Sequence, residues 1–268
     1  SGYTGIFLKG KGSELNISGG SIEGTDYAIS GNGTKTSTDD QGNTVINITG
    51  GSIKQTEAGG GAIYHPQSGT LSISGNPTIV GDSGIQLCSG EGVIANITGG
   101  TVTATGEDGR ESKTGDGFIN DGAAISIVDR NYPGGAPRMS ITGGTFISEK
   151  SGAVLAYTWS DNANSEWEEA NEYLSISGGT FSSNPSDYLA TGYVANQSGD
   201  RYIVGKADYG DTTNTVETAV GETTETVAET GSGIVGENET EARAAASSVA
   251  VMEGDTALQV AAGAAASQ

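Results

Sequence analysis

The sequence predicts an all-β fold, a right-handed parallel β-helix: a solenoid of about three strands per coil and about six to seven coils, ending in a low-complexity tail. Three observations carry this expectation. First, one stretch recurs. Leu15-Asn-Ile-Ser-Gly-Gly-Ser-Ile22 returns as Ile46-Asn-Ile-Thr-Gly-Gly-Ser-Ile53, Leu71-Ser-Ile-Ser-Gly-Asn-Pro-Thr-Ile79, Ala95-Asn-Ile-Thr-Gly-Gly-Thr-Val102, Met139-Ser-Ile-Thr-Gly-Gly-Thr-Phe146 and Leu174-Ser-Ile-Ser-Gly-Gly-Thr-Phe181. Their first glycines are Gly19, Gly50, Gly75, Gly99, Gly143 and Gly178, so the steps are 31, 25, 24, 44 and 35 residues. A base period with variable excess is what a repeat array with unequal loops produces. Second, apolar and small polar residues alternate within each copy, the period of a strand with one buried face. Third, a shorter apolar echo follows each of the first five copies: Ala28-Ile29, Ala62-Ile63, Gly84-Ile85, Ala124-Ile125 and Ala153-Val154.

Each element follows from these. The double glycine is a corner between two strands, since glycine accepts positive φ and lets backbone pass close to backbone. Stacking successive turns about 4.8 Å apart aligns Ile17, Ile48, Ile73, Ile97, Ile141 and Ile176 in one inward column. Burying each is worth roughly 1.5–3 kcal/mol. Asn16, Asn47, Ser72, Asn96, Ser140 and Ser175 form the matching outward ladder. Parallel crossovers favour the right-handed sense.

In chain order, residues 1–14 hold an N-terminally truncated coil, because Gly5-Ile6-Phe7-Leu8 matches the third strand of a turn. A signal peptide, a cap and earlier coils are therefore expected before it. A polar excursion at 31–44 interrupts the next coil. Inserts follow at 106–117, 129–138 and 157–173, and a closing coil spans 174–205, with a Ser198-Gly199-Asp200 turn between two strand-like pieces. The β-helix domain is thus 1–206. Residues 207–268 form an acidic, Thr/Ala/Gly-rich linker or tail with eleven acidic residues and one basic residue. Its composition reads as a flexible stalk, with a short helix around Glu239 to Met252.

Composition narrows the partners. A formal net charge of −21 argues against nucleic acid and anionic membranes. No apolar run is long enough to span a bilayer, and the single cysteine, Cys88, leaves the fold without disulfides. The sequons at Asn16, Asn47 and Asn96 fall on the repeating ladder, so the repeat accounts for them without glycans.

The Leu/Ile-x-Ile-Ser/Thr-Gly-Gly-Thr-Ile/Phe repeats and the ending Asp187-Tyr-Leu-Ala-Thr-Gly-Tyr-Val-Ala195 resemble the β-helical surface proteins of Gram-positive, often gut-dwelling, bacteria, on the pectate-lyase-like superfold. The likeness covers roughly residues 1–206. It implies secretion and display on the bacterial cell surface; the superfold hosts lyases, hydrolases, adhesins and carbohydrate-binding modules.

Three inserts, at 31–44, 129–138 and 157–173, leave the array after its third strand and should rise from one edge, where repeat proteins commonly build binding surfaces. Tyr64, His65, Arg130, Tyr132, Tyr157, Trp159 and Trp167 are placed on that edge as candidate ligand-binding residues, their rings stacking on sugar faces. The competing reading is that Trp159 and Trp167 fold down to cover their own loop. No cofactor is expected; calcium is the metal that Asp108, Asp116 and Asp121, with Glu107, would suit, although their spacing matches no calcium loop. A polygalacturonase-like site would need motifs of which only Asp39-Asp40 is present. A lyase would need a base beside a calcium cluster, with Asp116, Asp129 and Arg130 or Arg138 the available set. The reading is therefore a non-catalytic, monomeric, extracellular adhesin that binds a glycan or a host-surface polysaccharide or glycoprotein. The alternatives are a polysaccharide lyase or glycoside hydrolase, and a structural spacer, including a water-ordering surface built on its Ser/Thr columns.

Overall fold

The computed structural model describes residues 3–33, 42–88, 92–111, 114–129, 137–159 and 173–207, together with the backbone of three strands beyond them. Arg130, Tyr132, Trp167, Asp39-Asp40 and the Glu239 to Met252 segment lie outside the described residues. The chain divides into two units, Ser1–Lys206 and Ala207–Gln268. The described part of the first is all β, apart from one 3₁₀ turn at Ser186–Tyr188.

Its strands come in recurring sets. β1 (Thr4–Phe7) is followed by β2 (Glu14–Gly24), which runs through the first double glycine, and by β3 (Tyr27–Ser30). The second copy repeats this as β4 (Thr44–Gln55) and β5 (Gly61–His65). Later copies break at the corner: β6 (Gly69–Ile73), β7 (Thr78–Gly81) and β8 (Ser83–Cys88), then β9 (Val93–Ile97), β10 (Thr101–Ala104) and β11 (Ile125–Asp129). The next are β12 (Arg138–Ile141), β13 (Thr145–Ser148) and β14 (Val154–Thr158). β15 (Leu174–Ile176) and β16 (Gly179–Phe181) precede a hairpin of β17 (Tyr193–Ser198) and β18 (Arg201–Lys206).

Pairing follows the repeat. One sheet is ordered β1-β3-β5-β8-β11-β14, every neighbour parallel. The other runs β15-β12-β9-β6-β4-β7-β10-β13-β16, also parallel, with β2 beside β4. It is two ladders joined at the corner, since the first half of β4 pairs with β6 and the second half with β7. Ile17, Ile48, Ile73, Ile97, Ile141 and Ile176 are register partners, as are Ile22, Ile53, Ile79, Val102, Phe146 and Phe181. Nearly all of these side chains belong to one buried cluster, joined by Ile29, Ile63, Ile85, Ile125 and Val154 of the other sheet. On the outward face Asn47 Nδ2 donates to Asn16 Oδ1 at 2.9 Å. Hydroxyls also bridge turns: Thr49 Oγ1 donates to the Ile17 carbonyl and Thr98 Oγ1 to that of Ile73.

The two corner glycines answer different demands. A Cβ on Gly143 would stand 2.6 Å from the Thr98 carbonyl oxygen of the preceding turn, so the first glycine permits close stacking. Gly144 has φ +107°, so the second permits the bend itself. In the Gly75-Asn76-Pro77 copy the positive φ moves to Gly75, at +66°, and the corner survives without a glycine pair.

The described residues between β10 and β11 form a strap over the parallel sheet of β3, β5, β8 and β11. Phe118 packs edge-on against Tyr27 and Tyr64, at centroid distances of 5.2 and 5.4 Å. Gln86 of β8 holds the strap as a neighbouring strand would: its Oε1 accepts from Ile119 N at 3.0 Å and its Nε2 donates to Ile119 O at 2.7 Å. Ser83 Oγ accepts from the amides of Asp121 and Gly122, both at 3.1 Å. The outward residues of β5, β8 and β11 are consequently buried, which gives these strands no polar face.

The array closes at Gly179–Phe181. There β18 pairs antiparallel with β16, and β17 with β18. Leu189 bridges Ile176, and the Ala190 amide donates to the Ile176 carbonyl at 2.8 Å. In the second unit, Thr- and Val-rich segments form a three-stranded antiparallel sheet, β19 (Thr213–Glu217), β20 (Thr224–Thr230) and β21 (Gly233–Val235). The acidic composition alone reads as a stalk without strands; the local alternation of Thr and Val is what departs from it.

Candidate functional site

The inserts at 31–44, 129–138 and 157–173 begin at or just beyond the C-terminal ends of β3, β11 and β14. These three strands belong to one parallel sheet, so their ends share an edge. At that edge the strap meets β14. Asp108, Arg110 and Glu111 of the strap and Tyr157, Thr158 and Trp159 line a groove of about 400 Å³.

Arg110 organises the rim. Its Nε donates to Asp108 Oδ1 at 2.8 Å and its Nη2 to Asp108 Oδ2 at 2.7 Å, a bidentate pair. The guanidinium carbon lies 5.1 Å from the centroid of the Tyr157 ring, in cation–π geometry. Hydrogen bonding from Arg110 holds the Asp108 carboxyl below its usual range, and Asp108 in turn raises the proton affinity of Arg110.

Below the rim lies a buried polar network. Tyr157 Oη donates to Asp121 Oδ2 at 2.9 Å. The same oxygen accepts from Gln86 Nε2 at 3.0 Å, and Asp121 Oδ1 accepts from the Ala123 amide at 3.1 Å. Burial raises the proton affinity of Asp121, partly offset by hydrogen bonding from Ser126, the Ala123 amide, Tyr157 and Ser83. Tyr157 is pushed well above the usual phenol range, by burial first and by the Asp121 charge second, so it stays a neutral donor.

Trp159 is 7% exposed and packs with Ile119, Val128 and Tyr157. Its ring covers the loop beneath it rather than presenting a free face to a sugar, and its buried Nε1 has no hydrogen-bond partner. Tyr64 and His65 differ from their expected place on the rim. Tyr64 is 2% exposed and stacks on Tyr27 at 5.6 Å, because the strap roofs over β5. His65 is fully buried, with Nε2 3.3 Å from the Gly69 carbonyl and Nδ1 unpartnered. As a carbonyl only accepts, Nε2 carries the proton. Burial lowers the pKa of His65 to about 4.

The three aspartates considered for a metal are drawn into separate tasks. Asp108 is paired with Arg110, Asp121 lies in the buried network, and Asp116 accepts from Tyr27 Oη at 3.0 Å and from Thr114. Among the described residues no group of three or more His, Cys, Asp or Glu side chains is placed to hold a metal ion. Arg138, considered as a lyase base, lies over the Tyr173 ring at 5.2 Å.

No family model, curated protein or solved structure matches this chain. Its chemistry is therefore read from the groove alone. Tyr157 and Trp159, named from sequence as ligand-binding residues, and Asp108, named there for calcium, are the sequence candidates that the groove brings together. Arg110, Glu111 and Gln86 were not legible as site residues, since the strap that carries or binds them is held by long-range contacts and has no motif of its own. Among the described residues no helix is long and apolar enough to cross a membrane.

Proposed function

We propose that the first unit is a right-handed parallel β-helix of the bacterial surface-protein kind and that it acts outside the cell as a non-catalytic, adhesin-like module that binds a glycan at the strap-side groove. The observation that carries this reading is the groove itself: a recess of about 400 Å³ with carboxylates and a guanidinium on its rim and two aromatic residues behind them. Sugar hydroxyls donate to planar carboxylate edges, and an aromatic wall excludes water from those bonds. The three in-register ladders of short parallel strands support the helical winding, whose right-handed sense follows from the general preference of parallel crossovers.

The test is a glycan array run with and without calcium, followed by Trp159→Phe and Glu111→Ala variants against any glycan retained. Binding that weakens in both variants supports the reading. Retention of no glycan returns the module to a spacer, and release of reducing or unsaturated ends from a bound polysaccharide makes it an enzyme.

A further inference from the structure

The groove has a charge pattern that selects among saccharides. An anionic sugar is ordinarily held by the edge of a guanidinium, whose paired N–H groups match a carboxylate or sulfate. Arg110 presents its Nε and Nη2 edge to Asp108 instead, at 2.8 and 2.7 Å, and its face lies against Tyr157 at 5.1 Å. Arg110 and Asp108 neutralise each other, and among the described lining residues Glu111 leaves a surplus negative charge. The unit that carries the groove, residues 1–206, holds 22 acidic and 11 basic residues, a negative balance that repels polyanions before they arrive.

We infer that the groove takes an uncharged, hydroxyl-rich saccharide and rejects uronate and sulfated glycans, with Asp108 as the specificity-determining residue. This rests on the glycan-binding reading above. Asp108 and Glu111 offer acceptors for the vicinal hydroxyls of a neutral sugar, and their negative charge repels an anionic one. Asp108 also keeps Arg110 from serving as an anion clamp.

The experiment compares retention of the full chain on a neutral galactomannan, a neutral β-glucan, polygalacturonate and heparin, in low and high salt. Wild-type protein is expected to bind at least one neutral polymer with little salt dependence and neither polyanion. Asp108→Asn removes one charge and frees the Arg110 edge. It is expected to raise affinity for polygalacturonate by about tenfold at low salt, a gain lost at high salt. Both residues of the pair are on the surface, so the variant folds, which an unchanged melting temperature verifies. Wild-type preference for polygalacturonate or heparin overturns the inference while leaving glycan binding intact. So does an Asp108→Asn protein with no gain for either polyanion. Failure of every polymer to bind either protein overturns the glycan reading itself.

Discussion

Gly143 and Gly19 occupy equivalent corners, yet their substitution should have different consequences. A methyl on Gly143 meets the Thr98 carbonyl at 2.6 Å, whereas one on Gly19 meets nothing within 4 Å because no described turn lies beneath it. Gly143→Ala is expected to destabilise the protein by about 1–3 kcal/mol and Gly19→Ala by less than about 0.5 kcal/mol, read from paired denaturant melts. His65 makes a pH-dependent contribution. Its folded pKa near 4 lies below the ordinary value of about 6.5, so the unfolded chain binds the extra proton first. The stability it contributes is complete above about pH 6.5 and declines as the pH falls toward 4, by a total of about 3 kcal/mol. Acidification also relieves repulsion in so acidic a chain, so the quantity to measure is the difference between wild type and His65→Gln from pH 7.5 to 4.5. A constant difference across that range would refute the assignment.

At the scale of elements, the strap is the part that composition does not announce. The repeating strands were legible because their alternation and double glycines are local, and each copy reinforces the next in register. The strap has neither property. It is specified by Gln86, which looks like any outward polar residue of a strand, and by Phe118, which sits in a Gly- and Asp-rich stretch with the character of a loop. The misplacement of Tyr64 and His65 on the rim has the same origin, since nothing near them in sequence indicates that residues more than fifty positions later will cover β5. Gln86→Ala would leave the Ile119 amide and carbonyl buried without partners, a cost of about 2–4 kcal/mol if the strap stays down. Release of the strap is the cheaper response. Trypsin is therefore expected to cut after Arg110 faster in Gln86→Ala than in wild type, with loss of any glycan binding, while the parallel ladders keep their amide-exchange protection. Equal cleavage rates would show that Gln86 does not hold the strap.

On the scale of the molecule, stability is distributed along neighbouring turns, each burying its apolar column against the next. An array of this kind is vulnerable where the stacking stops, because an open parallel edge is a template for another chain. The β17–β18 hairpin covers β16 there, and Val204 is its buried anchor, within the same apolar cluster as Phe181. Val204→Asp is expected to lower stability by about 2–4 kcal/mol and to produce concentration-dependent oligomers by light scattering. A monomeric variant of unchanged stability would count against that role.

The antiparallel seating of β18 on β16 also gives the array a direction. A duplicated repeat entering the gene between the copies at Leu15 and Leu174 would find a parallel partner on both sides and add one rung to each ladder. The same segment inserted after Phe181 would meet a strand running the wrong way, so this lineage can grow from within but cannot be extended past its own lid.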